Sequence, residues 1–79
     1  MNTHKTYLTD VGIQKLTDEL TELTEKQRPE LAKRLREAIK MGDLSENADY
    51  IAAKEDQAFI EGRILELQEM LRSSVLISD

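Results

Sequence analysis

Apolar residues recur at helical spacing in two long stretches of the chain, which are separated by a short polar turn. The first stripe contains Ile13, Leu16, Leu20, Leu23, Gln27, Leu31, Leu35 and Ile39. The second contains Ala53, Gln57, Ile60, Ile64, Leu67 and Leu71. Spacings of three and four residues are typical of one helix face packed against another. With Thr9 as a predicted N-cap, the pattern indicates helices over about 10–41 and about 47–72, joined by a turn at 42–46.

The two stripes match when the chain is folded back at Asp43 and Leu44. The opposed pairs are then Leu16–Leu71, Leu20–Leu67, Leu23–Ile64, Gln27–Ile60, Leu31–Gln57 and Leu35–Ala53. The residue numbers in each pair add to nearly the same value, as an antiparallel pairing requires. The sequence therefore predicts an all-α fold, a long antiparallel two-helix coiled-coil hairpin with an acidic tip. Arms of about 30 residues at about 1.5 Å per residue make it about 45 Å long.

Pro29 falls inside the first predicted helix, where a proline removes one hydrogen bond and clashes with the preceding turn. Two interpretations are open: a kinked continuous helix, or two helices broken near Gln27 and Arg28. Because the apolar stripe passes Pro29 without a polar gap or a second cap, the sequence favours the kinked helix. Beyond Leu23 the stripe advances in steps of four, which indicates a local change in supercoil.

The composition fits a thin hairpin better than a layered core. Aromatic residues make up 4% of the chain and charged residues 34%. A lone hairpin of this size is marginally stable, so we expect it to be docked, dimeric or continued by another domain; the sequence leaves its oligomeric state open. With no cysteine and no long apolar segment, we expect a soluble cytoplasmic protein that does not bind membranes. Met41 and Phe59 are predicted to pack locally, and His4 is predicted to have no role.

Charge is distributed unevenly along the chain. The net charge is −5, which argues against a general polyanion binder. Residues 26–40, however, carry six basic and two acidic side chains, a balance of +4. This basic segment leads directly into an acidic turn.

The turn carries three carboxylates in seven residues, those of Asp43, Glu46 and Asp49. Taken alone, the residues favour a structural role, with Asp43 and Glu46 forming a capping box at the start of the second helix. The alternative is that the carboxylates are held out to a divalent cation such as Mg²⁺, which prefers oxygen ligands and retains several waters. Two acids on a protruding tip could then complete a metal site that a partner already holds.

Several segments in order resemble the N-terminal coiled-coil domain of the Gre family of bacterial transcript-cleavage factors. They are YLTDVGIQKLTDEL at Tyr7–Leu20, RPE at Arg28–Glu30, GDLSENADY at Gly42–Tyr50, AAKEDQ at Ala52–Gln57, EGRI at Glu61–Ile64 and SSVLISD at Ser73–Asp79. The resemblance covers essentially the whole chain. The resemblance implies that a C-terminal FKBP-like domain would follow, so we expect this chain to be either an excised domain, which is the favoured interpretation, or a naturally short relative.

The resemblance implies a role for the tip in trans. It implies that Asp43 and Glu46 reach through the secondary channel of bacterial RNA polymerase and help to hold a second catalytic Mg²⁺ and a water beside backtracked RNA. No cofactor would be bound by the chain alone, and the polymerase would remain the enzyme. Ser45 stands where some members have lysine, a change expected to tune activity.

The resemblance also implies that basic residues contact the extruded 3′ end of the nascent RNA. The candidates are Arg28, Lys33, Arg34, Arg36 and Lys40. A solvated helix surface explains the same residues equally well. Three functions therefore stay open: stimulation of transcript cleavage, inhibition of polymerase through the same channel, and an unrelated helical arm for nucleic-acid binding or assembly.

Overall fold

The computed structural model describes residues 6–76, and His4 lies outside this range. Its elements in chain order are strand β1 (Thr6–Leu8), helix α1 (Asp10–Glu22), a π-helical turn (Leu23–Gln27), α2 (Arg28–Lys40), α3 (Ala48–Arg72) and strand β2 (Ser74–Leu76). The molecule measures 54 × 28 × 13 Å. Two long helical arms thus lie side by side, and the prediction of an all-α antiparallel hairpin is confirmed.

The first arm begins at Thr9, whose hydroxyl accepts a hydrogen bond from the backbone N–H of Gly12 at 3.1 Å. This is the N-cap that the sequence predicted, and Asp10 adds an acidic side chain to the first turn, where the helix dipole favours it. The second arm is α3, Ala48–Arg72, with Asn47 as its N-cap and Ser73 as its C-cap. Both arms therefore start and end close to the positions expected from the apolar pattern.

The first arm stays helical through Pro29, which agrees with a continuous helix rather than two broken ones, while the kink itself stays a prediction. Gln27 and Arg28 both keep right-handed helical dihedral angles, and the backbone N–H of Arg28 bonds to the carbonyl of Leu23, five residues back. A π turn is wider than an α turn, so it makes room for the proline ring beside a carbonyl it would otherwise strike. Thr24 adds a hydroxyl bond of 2.8 Å to the Leu20 carbonyl, a contact that often bends helices.

A single seam of side chains holds the arms together. The buried cluster consists of Leu23, Leu31, Ala53, Ile60, Ile64 and Leu67, with Leu16, Leu20 and Leu35 packed against it. All nine come from the two predicted stripes. Burying these side chains is the main stabilisation available to such a thin fold, because apolar area removed from water contributes about 25 cal/mol per Å².

The first stripe leaves the seam before its predicted end. Ile39 is 52% exposed, whereas its neighbour Ala38 is 2% exposed and takes the buried position. Four residues make slightly more than one full turn of an α-helix. A stripe with steps of four therefore shifts around the helix surface at each step. The predictions for Met41 and Phe59 are also wrong, since these side chains are 69% and 75% exposed.

The base of the hairpin has a feature that the apolar pattern did not predict. Strands β1 and β2 pair in parallel, with Thr6 opposite Ser74 and Leu8 opposite Leu76. Val75 and Leu76 lie in β2, while Ile77 lies outside the described residues. Across residues 6–76, no helix is long and apolar enough to cross a membrane.

Candidate functional site at the hairpin tip

The chain reverses direction in a short loop with two left-handed residues. Helix α2 ends at the C-cap Met41, after which Gly42 has φ +82° and Asp43 has φ +39°. Glycine adopts such a φ without strain, and aspartate is among the few other residues that tolerate it. The backbone N–H of Glu46 bonds to the Asp43 carbonyl at 3.2 Å and closes a turn. The loop thus places Asp43 and Glu46 at the free end of the rod.

Both tip carboxylates are exposed to solvent. Asp43 Oδ1 accepts a hydrogen bond of 2.9 Å from the Ser45 hydroxyl. Within the described part of the chain, neither Asp43 nor Glu46 forms an ion pair. Their oxygens are therefore available to a group outside this chain.

The capping box predicted for Asp43 and Glu46 is wrong, because Asn47 caps α3 instead. Asn47 Oδ1 accepts a hydrogen bond of 2.9 Å from the backbone N–H of Tyr50. Its amide nitrogen donates to the Ala38 carbonyl at 2.7 Å and to the Gly42 carbonyl at 3.3 Å. An asparagine can accept and donate at once, whereas a carboxylate only accepts. The capping-box explanation of the two acids is thereby removed.

The tip surface is concave and acidic. A shallow depression of about 400 Å³ is lined by three acidic residues, Asp43, Glu46 and Asp49, together with Met41, Gly42, Asn47 and Ala48. Among residues 6–76, no group of three or more His, Cys, Asp or Glu side chains is placed to hold a metal ion. Any metal bound here would need further ligands from elsewhere, because two carboxylates leave most of an octahedral shell open.

The five basic candidates fall into two groups. Arg28 pairs with Glu61 at 2.7 Å and Arg34 with Asp56 at 2.9 Å, so both reach across to α3. The remaining three, Lys33, Arg36 and Lys40, are exposed, and no ion pair or side-chain hydrogen bond involves them within the described residues. Their spacings of three and four residues place them on one face of α2. Only this second group forms an unneutralised basic stripe.

Cross-arm ion pairs lower the pKa of two glutamates. Two hydrogen bonds from the Arg28 guanidinium hold the pKa of the Glu61 carboxyl below its ordinary value. Arg63 does the same for Glu19 through bonds of 2.7 and 2.8 Å, and it also pairs with Glu66. These pairs join the arms on both sides of the π turn. They lie away from the tip. They give a structural reason, the joining of the two arms, for part of the charge pattern in the sequence.

Asn47 is the tip residue that the sequence reasoning missed. Its signal was present, since asparagine is a favoured N-cap and Ala48 and Asp49 follow it as an ordinary first turn. The capping-box pattern of Asp43 and Glu46 offered a competing cap four residues earlier. Sequence spacing alone did not separate the two.

A slender two-helix rod with exposed carboxylates at its free end defines the class of this protein: a helical-hairpin arm with an acidic tip. The family model described as "Transcription elongation factor, N-terminal", for GreA and GreB, matches residues 6–76. The chain belongs to this family of transcription elongation factors, and the resemblance described from the sequence is confirmed.

Individual relatives agree with the family match. The chain is 50% identical over 80 residues to the transcription elongation factor GreA of Bacillus cereus and, equally, to that of Bacillus anthracis. These alignments cover 100% of this chain and 51% of each relative. GreA of Shouchella clausii is 48% identical over 75 residues, covering 95% of this chain and 48% of that protein. The chain thus spans about half the length of these relatives.

Proposed function

We propose that this chain is the arm of an elongation factor that enters the secondary channel of bacterial RNA polymerase. There it stimulates the polymerase's own cleavage of backtracked RNA, without being an enzyme itself. The observation that carries the proposal is the tip: Asp43 and Glu46 are exposed, free of ion pairs and not used as helix caps. Exposed carboxylates that cap no helix and pair with no cation of the described residues, at the end of a rod, are placed to act on a partner.

The shape of the molecule supports delivery to a recessed site. The rod is 54 Å long and 13 Å across its thinnest dimension. Near the tip the seam is made of small side chains, because Ala38 and Ala53 are the buried residues there. Small residues let the arms approach closely and keep the end slender, so the rod could carry its tip down a narrow passage.

At the polymerase centre, Asp43 and Glu46 would offer carboxylate oxygens to a Mg²⁺ ion shared with the polymerase. The ion supplies Lewis-acid stabilisation for phosphodiester hydrolysis. The chain's own part is to present two oxygen ligands from a fixed loop and leave the other positions to the partner and to water. The Ser45 hydroxyl, bonded to one Asp43 oxygen, would help to orient that carboxylate.

The basic stripe of Lys33, Arg36 and Lys40 would contact phosphates of the RNA 3′ end. Such contacts are independent of base sequence and weaken as salt rises. Arg28 and Arg34 were also predicted to contact RNA, and that role stays a prediction. Their charges already face carboxylates of α3, so we propose that they serve mainly to join the arms.

The direct test uses a backtracked elongation complex with a transcript labelled at its 3′ end. Adding the chain should release short 3′ fragments faster than polymerase alone, and the release should require Mg²⁺. Slowed RNA synthesis without fragments would instead support a channel inhibitor. Binding of structured RNA without polymerase, with a steep salt dependence, would support a separate nucleic-acid arm. Either of these results, obtained without any release of 3′ fragments, would reject the proposal.

A further inference from the structure

The side-chain amide of Asn47 connects three separate parts of the backbone at the tip. It accepts from Tyr50 in the first turn of α3 and donates to Ala38 in the last turn of α2. It also donates to the Gly42 carbonyl, where the loop begins. One planar group thus joins the end of one arm, the start of the loop and the start of the other arm.

These bonds bracket the segment that carries the two acids. Asp43 and Glu46 lie between Gly42 and Asn47, and within this segment the described hydrogen bonds are few. They are the turn bond from Glu46 N–H to the Asp43 carbonyl and the Ser45 bond to the Asp43 carboxylate. Asp43 also has a positive φ, a conformation that persists only where surrounding structure supports it. Asn47 provides that support from both ends of the loop.

We infer that Asn47 is a positioning residue, whose amide sets the loop conformation in which Asp43 and Glu46 are presented together. This inference rests on the proposed function of those two carboxylates. Capping of α3 needs only the amide oxygen, whereas holding the loop needs the amide nitrogen. The two tasks can therefore be separated by substitution.

Serine and aspartate both cap helices about as well as asparagine, yet neither can donate from the amide position. Asn47→Ser keeps the net charge and retains an acceptor for Tyr50, but it removes the bonds to Ala38 and Gly42. Asn47→Asp keeps the shape and the cap, and turns a carboxylate toward two carbonyl oxygens. Both variants should keep α3 helical while releasing the loop.

Amide hydrogen exchange, followed by NMR on the chain alone, tests the geometry. In Asn47→Ser the Tyr50 amide should stay protected, while exchange of the Glu46 amide should accelerate about tenfold as the turn loses its support. Unchanged protection of Glu46 would overturn the inference. So would equal loss of protection at Tyr50 and Glu46, since that pattern means that the loop opens through loss of the helix cap and not through loss of the two donated bonds.

Cleavage kinetics test the consequence. Titration of Mg²⁺ on a backtracked complex should show a maximal rate lowered about tenfold or more in Asn47→Ser, with a higher half-saturating Mg²⁺ concentration. The chain concentration that gives half-maximal cleavage should not change, because binding of the rod is not altered. A general loss of stability would instead lower the amount of active chain at every Mg²⁺ concentration.

The two proposals can fail separately. A parent chain that releases no fragments rejects the proposed function, and the exchange measurement still decides whether Asn47 holds the loop. If the parent is active, Asp43→Ala is inactive and Asn47→Ser matches the parent, then the proposed function stands and the inference about Asn47 is rejected.

Discussion

The guanidinium of Arg28 and the carboxylate of Glu61 form a two-bond ion pair that crosses from one arm to the other. Nε and Nη2 of Arg28 donate to the two carboxylate oxygens at 2.8 and 2.7 Å. The pair lies where the π turn passes into α2, one residue before Pro29. It therefore joins the arms at the place where the first arm departs from regular α-helix.

This pair should make stability depend on pH at the acidic end. The pKa of Glu61 is depressed in the folded chain, so its contribution is present above the unfolded pKa of about 4.3 and is lost as pH falls through the folded value. Glu61→Gln should therefore lower Tm at neutral pH, and the difference from the parent should shrink below about pH 4.

Glu55→Gln is the matched control for this measurement. Glu55 is exposed on the same helix, and no ion pair involves it among the described residues. Thermal unfolding followed by circular dichroism between pH 7 and pH 2 should show little effect of this change. A Tm difference for Glu61→Gln that persists undiminished at pH 2 would contradict the role given to the pair.

The tip carboxylates should be required for cleavage but not for folding. Asp43→Asn and Glu46→Gln should each slow fragment release by about tenfold or more, because each removes an anionic oxygen ligand. Helicity should be unchanged, since asparagine tolerates the positive φ at position 43 and neither carboxylate caps a helix. Asp49→Asn removes a neighbouring charge from the same surface and should retain most activity. Equal losses in all three variants would point to general tip charge instead.

Neutralising the basic stripe should weaken the proposed contact with RNA. The triple change Lys33→Gln, Arg36→Gln and Lys40→Gln should reduce cleavage and flatten its dependence on salt, by roughly 2 units of log–log slope if all three contact phosphates. The measurement is the cleavage rate as a function of salt concentration.

The control is a second triple variant, Lys15→Gln, Lys54→Gln and Arg72→Gln, which has the same net charge as the stripe variant. These residues lie outside the stripe, so the salt slope should stay close to that of the parent. If both triple variants respond alike, net charge rather than the stripe governs the interaction.

The seam between the arms should account for most of the stability. Leu67 is fully buried at 0% exposure, whereas Leu65, two residues away on the same helix, is 67% exposed. Leu67→Ala should destabilise the fold by about 2–5 kcal/mol, enough to unfold much of a small domain. Leu65→Ala should change stability by less than about 0.5 kcal/mol in urea unfolding. Similar effects of the two changes would show that the arms pack through another face.

Two glycines should respond to alanine with opposite signs. Gly42 has φ +82°, where an added Cβ is strained whatever the space, so Gly42→Ala should cost about 1 kcal/mol or more. Gly62 lies inside α3, with nothing within 4 Å of an added Cβ, so Gly62→Ala should stabilise by up to about 1 kcal/mol. Urea unfolding of both variants decides this, and a gain in stability for Gly42→Ala would contradict the loop conformation.

The apolar pattern determined the hairpin and the approximate position of its tip. An apolar stripe repeats over many residues, so a wrong assignment at one position changes the predicted helix little. The pairing of two stripes then determines which helix faces meet. The cap at Thr9 could also be predicted from the sequence, because its hydroxyl bonds to a backbone N–H only three residues away. The exposed placement of Asp43 and Glu46 followed directly from their position in the turn.

The tertiary structure decided what depends on one contact rather than on a repeat. Asn47 replaced Asp43 as the cap because its amide also meets the Ala38 carbonyl, nine residues back. Arg28 is held in an ion pair because the Glu61 carboxylate, 33 residues away in the sequence, faces it across the seam. Lys33 has no such partner among the described residues. Such contacts depend on the rotation of each arm to within a fraction of a turn, and the π turn at Leu23–Gln27 sets that rotation for α2. The spacing of residues along the chain does not specify the rotation angle of each arm, so only the packed structure reveals it.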